Sequence, residues 1–452
     1  MSTSTQLQPP ASPTYILRGH ASPIHGLHIF HQNLRLISGD ADGWIIVWDL
    51  VFKRPVAVWK AHEGAILEVK GFTFSNETVT EVYTHGRDHK LCVWRFRIQD
   101  EDLLQKTLPV DMREQHQSQA TQPWLVHSLP VNALNFCAFS ILFLDNGEES
   151  SDTREEEPKT TSDTQSQSPE TNTPQQQQQQ QRTSLFAVPN ALNSGAIDIF
   201  HLPRERRLCT IPADPTTQTG MVMAVNLVHS STGELHVAAA YEDGHVMVFA
   251  LRGRLRTQDF SGNASNSSSN NWKWERFYVA RAHSQPALSI DVFPAGGYFL
   301  SSSADALLVK HPVPGFGEVL PVKKRVDTKH SGQQGLRIRS DGKVFATAGW
   351  DSRIRVYSCK TMRELAVLKW HKEGCYTVAF ADVEGSIDSG GGAAAATGAR
   401  GSDGGGGDGA QVMRPEEFSL ATVQRQRNQK VQKTHWLAAG SKDGKISLWD
   451  IY

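Results

Sequence analysis

The chain has 452 residues, and its 46 Lys and Arg against 47 Asp and Glu leave a formal net charge of −1. That balance removes the broad positive field with which a protein holds a phosphate backbone, so direct nucleic-acid binding is not expected. Cys92, Cys137, Cys209, Cys359 and Cys375 form no CxxC pair, which points away from a zinc site and toward buried thiols in a reducing compartment.

The opening MSTSTQLQPPASP has no apolar signal core, and no run approaches the roughly 18 apolar residues of a membrane span. A soluble intracellular protein without membrane contact is expected, disordered over residues 1–13 and folded as one domain over 14–452.

From residue 14 the chain repeats itself. A first unit opens at Gly19-His20, runs through HGLHIF and closes on SGDADGWIIVWD at Asp49. A second follows from Ala61-His62 to THGRDHKLCVW at Trp94. Asp42 to Asp88, and Trp48 to Trp94, are both 46 residues apart, close to the period of a WD repeat. The third unit is read as starting at His127 and resuming at LFAVPNALNSGAIDIFHL with no turn aspartate. The fourth carries Asp243 and has Phe249 at the tryptophan position. The fifth runs from His283 to Asp305, the sixth from His330 through Asp351 to Tyr357, and the seventh from His371 to the terminal WLAAGSKDGKISLWDIY. Short β-rich runs alternate with Gly, Asp and Asn turns throughout, and no stretch asks for a long helix. The reading is an all-β, seven-bladed WD-repeat β-propeller. Its last unit lacks an outermost strand, which Thr14 to Arg18 can supply, closing the ring.

Three insertions interrupt the repeats: residues 145–183, acidic and ending in a glutamine run; 252–271, Ser/Asn-rich; and 384–410, Gly/Ala-rich. Their lack of apolar content predicts disorder. They are placed within blades three, five and seven or in the links before them.

A His, a Ser or Thr, a turn Asp and a Trp in one blade can form a hydrogen-bonded chain that satisfies buried polar groups. His20, Ser38, Asp42 and Trp48 fit this in blade one, and His62, Thr84, Asp88 and Trp94 in blade two. Because the same types recur from blade to blade, they read as structure and not as a nucleophilic triad, which is assembled once. No metal-ligand spacing and no phosphate loop occur, so no enzyme activity, metal or cofactor is expected. An enzyme would need acids clustered in the central channel, where the inner strands offer Asp291 alone. The basic runs Arg204 to Arg207, Lys323 to Arg325 and Arg425 to Lys433 read as solvated loops. Trp44 and Trp350, apolar groups at turns, are candidate interface residues. Trp94-Arg95-Phe96-Arg97 is similar to the WDxR signature that docks some propellers onto a ligase adaptor, without its aspartate. It supports an alternative function as substrate receptor of a cullin-type ubiquitin ligase.

ILRGHASPIHGLHIFHQNLRLISGDADGWIIVWDLVFKRPVAVWKAHEGAILEVKGF from Ile16 to Phe72, RDHKLCVWRF, DGKVFATAGWDSRIRVY, LAVLKWHKEGCYTVAF and LAAGSKDGKISLWDIY resemble the ASTRA-associated protein 1 family of fungi, which is related to the guanine nucleotide-binding protein β-subunit-like proteins. The resemblance implies a scaffold in the ASTRA complex, located in the nucleus with the cytoplasm as a second location, and with a role in chromatin remodelling. It implies as partners other subunits of that assembly, RuvB-like AAA ATPases and the co-chaperones that mature phosphatidylinositol-3-kinase-related kinases. The propeller itself is expected to be monomeric.

Overall fold

The structure, a computed structural model, describes residues 12–74, 78–111, 121–132, 137–144, 182–230, 233–253, 272–313, 324–383 and 420–451. Most of the three insertions lies outside these residues. Arg182, Thr183, Arg252 and Gly253, assigned to insertions from sequence, are described, and Thr183 opens a strand.

The strands form seven antiparallel sheets of four. Blade one comprises Ile24–Phe30, Arg35–Asp40, Trp44–Asp49 and Arg54–Lys60, and blade two Ile66–Thr73, Val79–Gly86, Lys90–Arg97 and Trp124–Pro130. Blade three comprises Ser140–Leu144, Thr183–Pro189, Ile197–Leu202 and Arg206–Ile211, and blade four Val222–His229, Leu235–Tyr241, His245–Leu251 and Trp274–Arg281. Blade five comprises Ala287–Val292, Tyr298–Ser303, Leu307–Pro312 and Lys324–Asp327, and blade six Gln333–Ile338, Val344–Gly349, Arg353–Ser358 and Glu364–Lys369. Blade seven takes Cys375–Phe380, Trp436–Ser441 and Lys445–Asp450 from the end of the chain and Tyr15–Arg18 from its beginning. Tyr15 pairs with Leu448 and Arg18 with Lys445, so the two ends of the described chain share one sheet.

There is no single core. Seven apolar clusters occur, each between two neighbouring blades. The second strands are therefore covered on both faces and read as continuous small and apolar runs: every residue of LHVAAAY (Leu235–Tyr241) is buried. The fourth strands face solvent at the perimeter, and Trp274–Arg281 is mostly exposed.

The connections differ at the two ends of the ring. Turns between second and third strands are three residues long in six blades: 41–43, 87–89, 242–244, 304–306, 350–352 and 442–444. Gly43 shows why. Its φ is +86°, a Cβ there would lie 2.0 Å from the His62 carbonyl oxygen, and its own carbonyl accepts from Ala61 N at 2.9 Å. The turn is thus a joint to the next blade. Insertions instead branch between first and second strands or between third and fourth, which is the opposite end. The second insertion lies within blade four, between Leu251 and Trp274, and not in or before blade five.

Two further expectations are corrected. His127 does not open blade three; it lies on the outer strand of blade two, and blade three begins with Ser140–Leu144. A helix of 14 residues, Leu420–Lys433, replaces the expected basic loop. It carries no apolar period that a sequence could reveal, and Val431 is its one buried side chain. Its last carbonyls are satisfied from outside instead: Asn33 Nδ2 donates to Gln432 O at 3.0 Å and Trp436 Nε1 to Val431 O at 3.1 Å. Lys430 and Lys433 in the last turn complement the helix dipole.

Candidate protein-interaction surfaces

The polar chains inside the blades are laid out by strand register. In blade two His62 Nδ1 lies 2.9 Å from Asp88, His62 Nε2 lies 2.8 Å from Thr84 Oγ1, and Trp94 Nε1 donates to Thr84 Oγ1 at 3.0 Å. In blade one His20 reaches Ser38 at 2.7 Å and Trp48 donates to Ser38 at 2.8 Å, but the acid is Asp40, 2.7 Å from His20, and not Asp42. The position of Asp40 is held in blade two by Gly86, where a Cβ would sit 2.4 Å from the His62 ring. With an acid there instead, His20 meets it first, and Asp42 is left to accept from Ser22 at the surface.

Other blades rebuild the chain from other positions. In blade seven Ala439 stands where Ser38 does, and the hydroxyl comes from Ser447 directly across the strand pair, 2.9 Å from both His371 Nε2 and Trp449 Nε1. Blade five puts His311 at the tryptophan position, and Ser301 bridges His283 at 2.7 Å and His311 at 2.9 Å. In blade six His330 is exposed, and buried Gln333 takes the inner place, accepting from Thr347 at 2.7 Å. Asp351 there is held by Arg355 at 2.5 Å. Blade three uses Asp198, which accepts from Asn190 at 2.9 Å and Thr210 at 2.6 Å. Most of these groups are buried and bonded to one another, so they read as what holds the blades together.

The central channel encloses about 330 Å³ and is lined by the first strands. It is more charged than the sequence reading allowed. Glu68 joins Asp291 there, with Lys70 and Arg337. Arg337 of blade six reaches across to Glu68 of blade two at 2.5 Å, and Asp291 accepts from Ile338 N at 2.6 Å. Burial raises the Asp291 carboxyl, opposed by Arg337, and burial lowers the Lys70 ammonium. These side chains escaped notice because each falls singly on a different repeat, and only ring closure gathers them.

Of the two tryptophans singled out from sequence, Trp44 is partly buried against the cluster between blades seven and one. Trp350 is 47% exposed at the short-turn end, its Nε1 donating to channel-lining Gln334 at 2.7 Å. A larger feature lies at the perimeter, where a groove of about 850 Å³ opens between blades two and three. Trp124, 82% exposed, Leu103, 70%, and Leu125, 52%, stand along it. Phe96 and Leu104 form part of its lining and are buried. Arg95 and Arg97 of the WDxR-like segment border it, and Arg95, at the aspartate position, is bonded to Glu81 at 2.6 Å. Nothing in the sequence marks Trp124, which stands outside the repeat pattern.

Seven four-stranded blades, the His–Ser/Thr–Asp–Trp chains and closure by the N-terminal strand define a WD-repeat β-propeller. The family model described as WD domain, G-beta repeat matches residues 11–49, 323–358 and 431–450. ASTRA-associated protein 1 of Aspergillus flavus is 83% identical over 100% of both chains. The Aspergillus niger protein of that name is 63% identical over 98% of each chain, and the Schizosaccharomyces pombe protein 32% identical over 82% of this chain and 93% of its own. The chain belongs to the ASTRA-associated protein 1 family.

Proposed function

We propose that the chain is a non-catalytic scaffold subunit of an ASTRA assembly, acting in the nucleus in chromatin remodelling and in the maturation of phosphatidylinositol-3-kinase-related kinases. The observation that carries the reading is the likeness to ASTRA-associated protein 1 over the full chain, 83% identical in Aspergillus flavus, joined to a rigid ring whose buried polar groups are spent on structure. A propeller of this kind offers fixed surfaces to partners. RuvB-like AAA ATPases and kinase-maturation co-chaperones are the partners this reading names.

The test is purification of the tagged chain from native cells under stringent salt, with mass spectrometry of what accompanies it. Recovery of the kinase-related subunits and their co-chaperones is expected, and their absence would remove the assignment. Fluorescent tagging at the native locus checks the nuclear location.

A further inference from the structure

We infer that the groove between blades two and three is the docking site for a peptide segment of another protein, one that places a large apolar side chain beside carboxylates. This goes beyond membership of an assembly and rests on the groove alone.

The apolar part of the argument is Trp124. A tryptophan 82% exposed, with Leu103 and Leu125 beside it over buried Phe96 and Leu104, is an anchor and pocket without its counterpart. The volume of about 850 Å³ holds several side chains. Trp124–Pro130 is also the terminal strand of its sheet, and among the described residues no strand pairs with its outer edge, which suits an extended segment.

The charge of the groove selects the partner. Glu81 is already engaged, accepting from Arg95 at 2.6 Å and from the Tyr83 hydroxyl at 2.6 Å. Arg97 is exposed, and the Arg182 guanidinium lies 3.6 Å over the Phe74 ring. Among the described residues no carboxylate pairs with Arg97 or Arg182, and Asp100 is the other acid of the lining. The balance is cationic, so the complementary segment is acidic. Three arginines against Glu81 and Asp100 leave one net positive charge over an apolar floor, which suits a peptide and not a phosphate backbone, whose binding rests on many basic contacts.

The experiment uses the full-length chain and a phage-displayed library of short random peptides, counter-selected on Trp124→Ala. Enriched peptides are synthesised with a fluorescent label and their affinities measured by polarisation. The expected winners carry an aromatic residue or Leu near Asp or Glu. Trp124→Ala and Arg97→Glu should each weaken them roughly tenfold or more, with melting temperatures unchanged because both side chains are exposed. Hydroxyl-radical labelling should modify Trp124 readily in the free protein and less when peptide is bound. The inference is overturned if no peptide is enriched, if the winners are basic, or if the variants bind them as wild type does. It is overturned equally if Trp124 is shielded in the free monomer, which assigns the groove to this chain's own residues, or becomes shielded as concentration rises, which assigns it to a second copy. Competition by an oligonucleotide in place of peptide binding would assign it to nucleic acid.

Discussion

Removing the Ser447 hydroxyl is a sharp test of how the blades are held. In blade seven this one oxygen serves Trp449 Nε1 and His371 Nε2, each at 2.9 Å, and the tryptophan is fully buried and the histidine 2% exposed. In Ser447→Ala both nitrogens lose their partner where water does not reach. An unsatisfied buried group costs about 1–3 kcal/mol, so the pair amounts to about 2–4 kcal/mol after local relaxation. For a chain of this size unfolding as a unit, that corresponds to a fall of roughly 2–5 °C in melting temperature. The diagnostic partner is Ala439→Ser. Ala439 lies directly opposite Ser447 and holds the strand position that Ser38 occupies in blade one. Moving the hydroxyl there should return at least about half of the loss, a coupling of about 1–2 kcal/mol between the two sites. Differential scanning calorimetry of wild type, both single variants and the double variant reads this out. A Ser447→Ala loss below about 0.5 kcal/mol, or a double variant no better than the single, would refute the account of the chain as a transferable hydrogen-bond relay.

Three further outcomes are expected. His85 is enclosed against Phe139, and burial with the charge of His62 lowers its pKa to about 3. The unfolded chain therefore binds the extra proton first, and stability drops as pH falls from about 6.5 toward 3, by up to about 1.4 kcal/mol per unit; His85→Phe should flatten melting temperature against pH in that window. At Asp443 burial raises the carboxyl but the His371 hydrogen bond and charge outweigh it, leaving a pKa of about 2. Its contribution is present above about pH 4 and lost as pH falls through 2, so Asp443→Asn should lower stability at neutral pH and soften the acid transition. Leu17 on the closing strand is 2% exposed; Leu17→Ala should cost about 2–4 kcal/mol and raise hydrogen exchange first at Lys445–Asp450.

How legible the fold was depended on how local its signals were. Blades one and two were readable because a hydroxyl, a turn Asp and a Trp recur 46 residues apart behind a His, and the closing strand because the seventh unit was one strand short. Asp40 was missed because the 46-residue spacing to Asp88 points to Asp42, whereas the strand-end position that is Gly86 in blade two and Ser303 in blade five is itself an acid in blade one and reaches His20 first. Ser447 was missed because its role passes across a strand pair, from second to third strand, and linear alignment of repeats cannot follow that. His127 misled because it precedes a β-rich run as His20 and His62 do, while lying in a strand that belongs to the preceding blade. Its Nδ1 meets Glu205 at 2.7 Å instead of a turn aspartate. The helix Leu420–Lys433 was invisible for a different reason: it is held by hydrogen bonds at its end, and amphipathic patterning had nothing to report.

The groove follows from the same rules. A turn between second and third strands is a joint to the next blade, as the Gly43 and Gly244 carbonyls show by accepting from Ala61 N at 2.9 Å and Ala282 N at 3.0 Å. Lengthening such a turn would pull that joint apart, so extra chain is accommodated at the other end. Blade three is the exception, with seven residues from Asn190 to Ala196 between its second and third strands. Among the described residues it also has no His–Asp pair, and Phe200 stands where blades one and two place Trp48 and Trp94, as Phe249 does in blade four. Blade three enters the groove through Arg182, Ser184, Leu202 and Pro203, which face the apolar surface of Trp124 and Leu125 on blade two. The blade that departs most from the repeat, and was hardest to read, thus forms one wall of the surface best suited to a partner.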